Sequence, residues 1–251
     1  MSQSFRRGLM ILDLFSLDRP VMTLEEVAKE INTSTITAYR YVKVLCDAGM
    51  LVMSAGQIKL SAQILRFVNL FLVHEQLISA AKDEIKKLHQ EYNETIALCK
   101  LEENDIVCIH KLESSLSLRA SYSIGQRMSI HAGAFARTIA AFLPAKKRKA
   151  IIDTIDWKPF TEHTIISRDE FDKRLERIVE RGYDISREEV IPGVIAFAVP
   201  IFVKGEVVAS LGFGMPSVRN DSENTMAIVS RLKETANTIS QKLEDDPLFM
   251  P

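Results

Sequence analysis

The chain has 251 residues and a formal net charge of −1, from 32 basic and 33 acidic side chains. This length suits one large domain or two smaller ones, and the balanced charge gives the whole chain no polyanion-binding signal. The cysteines Cys46, Cys99 and Cys108 are odd in number and form no CxxC pair, which argues against a disulfide framework or a zinc site. No apolar run is long enough to span a bilayer, so we expect a cytoplasmic protein without a membrane segment, metal or cofactor.

Residues 5–17 have the apolar spacing of an amphipathic helix, with Leu9, Ile11, Leu12 and Phe15 available to cover a small helical core. Arg7, near the start of this segment, is a candidate phosphate contact. A solvated surface charge is the alternative interpretation of Arg7.

Two short amphipathic helices follow, separated by a polar turn. Thr23 and Glu26 have the spacing of a capping box at the first helix, and Ser34 can cap the second. Gly49 can end the second helix, because glycine adopts the left-handed conformation required there. The pattern is typical of a helix-turn-helix, whose second helix enters the major groove of DNA. A plain helical hairpin is the alternative.

The segments 51–53 and 57–60 predict two short strands after these helices, as in a winged helix-turn-helix. The exposed face of the second helix carries short hydrogen-bonding side chains and long cations, which suit base edges and phosphates. Residues 1–66 hold eight basic and six acidic side chains, a mild excess that a two-fold assembly would double at the duplex. The predicted DNA-binding residues are Arg7, Thr23, Ser34, Thr35, Thr37, Tyr39, Arg40, Lys43 and Lys59.

Residues 62–73 form a predicted helix that is apolar on nearly every side, which indicates burial against more than one neighbour. We expect a second copy of the chain to cover this helix. Packing against the chain's own second domain is the alternative. Residues 74–92 then continue as a longer helix with an apolar stripe.

Strands and helices alternate after residue 93, which indicates an α+β domain around an antiparallel sheet. Ser167 and Glu170 have the spacing of another capping box, on a helix that ends at Gly182. The predicted strands are 95–101, 105–111, 116–123, 194–203 and 206–213, and the predicted helices are 132–143, 145–155, one after Ser167, and 222–243.

An enzymatic function has little support in the sequence. Glu188 and Glu189 are adjacent on a segment that reads as extended, so their side chains should point to opposite faces and cannot converge on a substrate. The five histidines show no ligand spacing, and His131 reads as a hydrogen-bonded structural residue. A redox sensor or enzyme that uses Cys99 and Cys108 remains the alternative function, although two small buried side chains are the simpler interpretation.

Several short motifs occur together in a recognisable order. The N-terminal ones are 7–12 (RGLMIL) and 37–42 (TAYRYV); the C-terminal ones are Gly125, 128–132 (MSIHA), 181–183 (RGY), 188–189 (EE), 193–194 (GV), 198–201 (AVPI) and 205–209 (GEVVA). Because these motifs occur in this order and with this spacing, the chain resembles the IclR family of bacterial transcription regulators over nearly its whole length.

The resemblance implies an α+β protein with a winged helix-turn-helix domain at residues 1–61, a linker helix at 62–76 and a GAF-like effector-binding domain at 77–251. It further implies a homodimer, or a dimer of dimers, that binds double-stranded DNA at a palindromic operator. In the family a small-molecule effector, commonly a carboxylic or aromatic acid, sets the operator affinity. The function expected here is therefore that of a regulator and not of an enzyme.

The resemblance also implies the positions of the effector site: Met128, Gly133, Ala134, Phe135, Ser186, Ala196, Gly212 and Gly214. In family members that bind small keto acids, several of these positions carry polar side chains. In this chain the same positions carry fewer hydrogen-bonding groups than in those members, and one of them carries an aromatic ring. We therefore expect a more apolar effector or a partly filled pocket. Arg137 stands where lysine is common, and a role in a charge network is expected for it.

Overall fold

The computed structural model describes residues 3–249, so residues 1, 2, 250 and 251 of the first and last predicted domains lie outside the described residues. The chain divides into two compact units, with the boundary between Glu75 and Gln76. The helices are α1 (Gln3–Met10), α2 (Leu24–Glu30), α3 (Thr35–Asp47), α4 (Ile64–His74), α5 (Gln76–Tyr92), α6 (Ala134–Phe142), α7 (Ala145–Ile152), α8 (Arg168–Arg181) and α9 (Thr225–Glu244). The strands are β1 (Val21–Thr23), β2 (Leu51–Ser54), β3 (Gln57–Leu60), β4 (Thr95–Glu102), β5 (Asp105–Leu112), β6 (Arg127–Met128), β7 (Asp184–Arg187), β8 (Val194–Val203) and β9 (Glu206–Pro216).

The turn between α2 and α3 in the first unit is fixed by the caps that the sequence predicts. Thr23 Oγ1 accepts from the Glu26 amide at 3.3 Å, and Glu26 Oε2 accepts from the Thr23 amide at 2.7 Å, so the capping box is present. Ser34 Oγ accepts from the Thr37 amide at 3.3 Å and begins α3. Gly49 follows α3 with φ +75°, in the left-handed region where glycine carries no steric cost.

A three-stranded antiparallel sheet in the order β1-β3-β2 completes this unit. The predicted hairpin is therefore present, and it has a third strand that the sequence analysis missed because β1 has only three residues. Ile11, Val27, Val42 and Ile58 are fully buried in the shared core.

The predicted helix at 5–17 is wrong in extent. α1 ends at Met10, and a short 3-10 turn at Leu12–Leu14 follows. Ile11 is buried and Leu12, Leu14 and Phe15 pack against the same core. Ile11, Leu12 and Phe15 therefore reach the core as predicted, but from a 3-10 turn and not from a continuous helix, whereas Leu9 is exposed.

The second unit is built on a six-stranded antiparallel sheet in the order β6-β5-β4-β9-β8-β7. α5 and α9 pack on one face, where large side chains such as Leu98, Phe197 and Phe213 form the core. α6 and α8 pack on the other face. Alternation along each strand separates the two cores, since successive side chains point to opposite faces.

The α6 face of the sheet is made of small residues at its centre. Gly212 of β9 is paired with Ala97 of β4 and Ala198 of β8, and Gly214 is paired with Ala196 of β8. Because these residues have little or no side chain, α6 can approach the sheet closely, and all of its residues from Ala134 to Ala141 are buried.

Two predictions in the second unit are wrong. Residues 116–123 form no strand; Arg119 donates to the carbonyls of Leu116 and Ser117 instead, and the edge partner of β5 is the two-residue β6. Ser167 begins α8 without a side-chain cap, so the second capping box is absent. The predicted helix at 74–92 is confirmed as α5, which begins two residues later than predicted, at Gln76, after a break at Glu75.

α4 falls within the predicted linker helix and has no buried residue in this chain. Within residues 3–249 no single helix is both long and apolar enough to cross a membrane, and only α4 and α5 taken together, as a pair bent at their junction, reach that length and composition.

Candidate DNA-binding and effector sites

The solvent-facing side of α3 combines two apolar side chains, Ile36 and Val44, with two cations. Ile36 is 71% exposed, and Arg40 and Lys43 are also exposed. Their spacing of i, i+4 and i+7 places the three on one stripe of the helix. Thr35 is exposed beside them and Tyr39 is 42% exposed. The stripe begins in the first turn of α3, the part of a recognition helix that contacts base edges.

Three of the predicted DNA-binding hydroxyls are already engaged within the protein. Ser34 Oγ and Thr37 Oγ1 lie 3.0 Å apart, and Thr23 is held in its capping box. Their first role is to fix where α2 and α3 begin. Ile36 was missed because an exposed isoleucine breaks the expected polar face; its position one turn before Arg40 is the signal that could have identified it.

Lys59 of β3 and Arg7 of α1 are exposed, as predicted phosphate contacts should be. Lys59 is paired in the sheet with Val21 and Val52. Among the described residues, Arg7, Arg40, Lys43 and Lys59 form no intramolecular ion pair, so all four charges are available to an external anion.

A cavity of about 120 Å³ lies in the second unit, at the start of α6. Six of the eight predicted effector residues line it: Met128, Gly133, Ala134, Phe135, Ser186 and Ala196. Further lining comes from the segment 190–194 and from the loop at 121–129, which the sequence analysis did not assign to the site.

The cavity offers hydrogen-bond donors at one end and apolar walls around them. α6 begins after Gly133 without a side-chain cap, so its first backbone N–H groups are left for another acceptor. Gly133 has φ +86°, and a Cβ there would lie 3.2 Å from Val190 Cγ2. Phe135, Val190 and Ile191 supply apolar surface. An uncapped helix N-terminus in such surroundings can hold a carboxylate.

Gly212 and Gly214 do not line this cavity, which corrects the predicted positions. A Cβ at Gly212 would overlap the carbonyl oxygen of Phe197 on the neighbouring strand. A Cβ at Gly214 would overlap the hydroxyl of Tyr122. Both glycines are therefore covered by other parts of the protein.

A buried charge network lies behind the cavity. Arg137 of α6 is fully buried, and its Nε donates to Asp184 Oδ2 at 2.8 Å. Its NH2 group donates to Glu189 Oε1 at 2.9 Å, and NH1 also contacts Glu189. The pKa of Arg137 is raised, because the two carboxylates outweigh the opposing effect of burial. The predicted role of Arg137 in a charge network is confirmed by these contacts.

Two other polar groups near the cavity have structural partners. His131 is fully buried, with Nδ1 2.7 Å from Ser129 Oγ and Nε2 3.1 Å from the Lys158 carbonyl. Cys99 and Cys108 are buried cross-strand partners, and burial raises the pKa of the Cys99 thiol. A buried thiol with a raised pKa is a poor nucleophile.

Comparison with known proteins identifies the family of both units. A family model described as the IclR helix-turn-helix domain matches residues 4–53, and one described as the bacterial transcriptional regulator IclR C-terminal matches residues 70–241. The chain belongs to the IclR family of bacterial transcription regulators. As an IclR-family member it is a DNA-binding transcriptional regulator with an effector-binding C-terminal domain, and the redox alternative is not favoured.

Individual IclR-family relatives match across both units. The HTH-type transcriptional regulator KdgR of Dickeya chrysanthemi is 29% identical over 223 residues, covering 88% of this chain and 73% of the relative. The crystal structure of the Thermotoga maritima IclR aligns with TM-score 0.77 and 26% identity, over 96% of this chain and 98% of that one. An IclR homologue from Microbacterium hydrocarbonoxydans, in complex with 4-hydroxybenzoate, shares the fold with TM-score 0.80 and 20% identity, over 97% of this chain and 100% of that one.

Replacing Arg137 with alanine should destabilise the second unit of this IclR-family protein by about 3–5 kcal/mol, because the buried carboxylate of Glu189 loses its cation, whereas Asp184 keeps Arg174 and Arg181. Urea unfolding followed by the fluorescence of Trp157, the single tryptophan, reports on this unit. Arg119→Ala, which removes an exposed partner of Glu113, is the control and should cost less than about 1 kcal/mol. Equal losses in the two variants would contradict the assignment.

Proposed function

We propose that this regulator binds a palindromic operator as a homodimer, or as a dimer of dimers, and that a largely apolar carboxylic acid sets its operator affinity. The observation that carries the ligand class is the uncapped start of α6 at the end of an apolar cavity. The proposal includes a cytoplasmic location, because a bacterial regulator must reach the DNA. It also includes a regulatory role without catalysis.

The chemistry of the cavity supports an aromatic acid. A carboxylate would accept from the free N–H groups after Gly133, while Phe135 and Ile191 would contact the ring. An apolar cavity of about 150 Å³ holds a benzene molecule, and the volume of about 120 Å³ here is comparable. The related protein that carries 4-hydroxybenzoate supports the same class.

Benzoate should raise the thermal unfolding temperature of the second unit, whereas benzamide, which has no charge, should not. At 100 times the dissociation constant the stabilisation is about 2.7 kcal/mol. Gly133→Val is the matched variant: the positive φ and the contact with Val190 should close the cavity and abolish the shift. Equal shifts with acid and amide would rule out a carboxylate site at α6.

The exposed stripe of α3 supports major-groove recognition by Arg40 and Lys43, with Thr35 and Tyr39 beside them. Arginine suits a guanine edge because it can donate two hydrogen bonds at once. Lys59 and Arg7 have no partner within the described residues and suit phosphates, which position a protein without reading sequence. Thr23, Ser34 and Thr37 remain predicted DNA contacts. Because their hydroxyls are engaged within the protein, their contribution is to fix the backbone at the starts of α2 and α3.

Arg40→Ala should cost about 1–3 kcal/mol of operator binding and relax the preference at one base pair, whereas Lys59→Ala should weaken binding to all duplexes alike. The measurement is fluorescence anisotropy with duplexes selected by the wild-type protein from a random library, repeated over a salt series. Lys59→Ala should also reduce the slope of the logarithm of the binding constant against the logarithm of the salt concentration by about one. Lys29→Ala, exposed on α2, is the control. Unchanged selectivity in Arg40→Ala would contradict direct reading.

The surface of α4 supports dimerisation. Leu65, Phe67, Leu70 and Val73 are exposed around the helix, with Leu70 49% and Val73 69% accessible. An apolar patch of this kind is uncommon on a monomer and marks an interaction site. A second copy is the simplest occupant, because most soluble oligomers are symmetric pairs.

Leu70→Glu should shift the protein towards monomer, raising the dimer dissociation constant by about tenfold or more, since a buried unpaired carboxylate costs over ~1.4 kcal/mol. Sedimentation equilibrium over a concentration series measures this shift. Leu17→Glu adds the same charge at another exposed leucine and serves as the control. A monomeric wild-type protein, or dimers in both variants, would refute the role of α4.

A further inference from the structure

Tyr122 lines the cavity from the loop where a strand was expected. Its ring packs edge-on against Phe135, with ring centroids 5.3 Å apart. Its hydroxyl lies over Gly214 of β9, so that a Cβ at Gly214 would overlap the hydroxyl and approach Cζ to 3.0 Å. The side chain therefore lies on the small-residue face of the sheet, where it covers the predicted ligand contact Gly214.

The loop that carries Tyr122 is fixed on both sides of it. Ser121 Oγ donates to Glu113 Oε1 at 2.8 Å, and the Ser123 amide donates to Gln126 Oε1 at 3.0 Å. Gly125 turns the chain with φ +81°. These contacts hold the ring in place without a bound ligand.

The hydroxyl of Tyr122 has no hydrogen-bond partner among the described residues, although the side chain lines the cavity. Burial raises its pKa, so the group stays protonated near neutral pH and keeps a proton to donate. A hydroxyl that has no protein partner and belongs to a cavity-lining side chain is free to donate to an acceptor on a ligand.

We propose that Tyr122 is the specificity-determining residue of the effector cavity: its ring closes the inner end and limits the ligand to one ring, and its hydroxyl donates to a polar group on that ligand. The inference rests on the proposed effector function. It adds a residue that replaces Gly214 as a ligand contact, and it names the ligand class as single-ring acids with a polar substituent away from the carboxylate.

The ligand test compares the full-length wild-type protein with Tyr122→Ala and Tyr122→Phe by titration calorimetry. The probes are benzoate, its three monohydroxy derivatives and 2-naphthoate. The wild type should prefer benzoate to 2-naphthoate by about tenfold or more, and Tyr122→Ala should abolish or reverse this preference. Tyr122→Phe should keep the size limit but lose the gain that the favoured hydroxybenzoate shows over benzoate. Tyr183→Phe, a tyrosine outside the cavity lining, should match the wild type.

A second experiment needs no ligand. Gly214→Ala should lower the urea midpoint of the Trp157 signal in the wild-type background, because the new methyl group meets the tyrosine. In the Tyr122→Ala background the same substitution should have a much smaller effect. Equal effects in both backgrounds would show that Tyr122 does not rest on Gly214, and would overturn the inference.

The two proposals fail in different ways. If wild type and Tyr122→Ala bind the acids with the same size preference, the role of Tyr122 is refuted while the effector class stands. If Tyr122→Phe keeps the hydroxybenzoate gain, the hydrogen-bonding role is refuted. If neither protein binds any acid, the ligand class itself is wrong and the specificity role falls with it.

Discussion

α6 packs against a face of the sheet that alanine and glycine form, and this close approach decides where the other parts of the second unit lie. Gly212 and Gly214 have no side chain to separate helix from strand, and Ala97, Ala196 and Ala198 have only a methyl group. The opposite face carries Leu98, Phe197 and Phe213, which fill the space under α5 and α9. A side chain added at Gly212 would meet the Phe197 carbonyl, and one added at Gly214 would meet Tyr122, so a larger residue at either position would disturb a dense interior.

The same approach brings the start of α6 next to the cavity and Arg137 next to two carboxylates. Glu189 links α6 to the segment that supplies Val190 and Ile191, and the hydroxyl of Thr164 donates to its carbonyl at 2.6 Å. One wall of the cavity is thus tied to the helix whose N–H groups face the cavity. Since an ordered site loses less entropy on binding, this arrangement favours a ligand that fits the existing shape.

Local patterns in the sequence were sufficient for elements that short-range physics determines. The capping box at Thr23 depends on two residues three apart, and the hairpin of β4 and β5 depends on alternation across a short turn. The loop at 116–123 could not be predicted in this way, because Arg219, about a hundred residues away, donates to the Leu118 carbonyl. The contact between Tyr122 and Gly214 is equally non-local, since Tyr122 lies in a loop far from β9 in the sequence.

The candidate DNA-binding face also contains residues that the sequence predicts and one that it does not. Arg40 and Lys43 follow from helical spacing alone, and their exposure agrees with it. Ile36 could not be predicted from spacing, because polar residues are expected on the DNA-facing side of the helix and an exposed isoleucine does not fit that expectation. An apolar side chain beside two cations can contact the methyl group of thymine, which only one of the four bases carries. Sequence reading is therefore least reliable where recognition uses an apolar group.

Charge links the proposed dimer to DNA binding. Residues 1–66 carry only two more basic than acidic side chains, too few for one copy to neutralise many phosphates. Since the salt-dependent part of affinity grows with each phosphate contacted, two copies on one duplex double this term. A two-fold assembly also presents two α3 helices to successive half-sites, so that sequence readout adds across the pair. The apolar surface of α4 would thus contribute to operator affinity without touching DNA, by holding two weakly charged units on the same duplex.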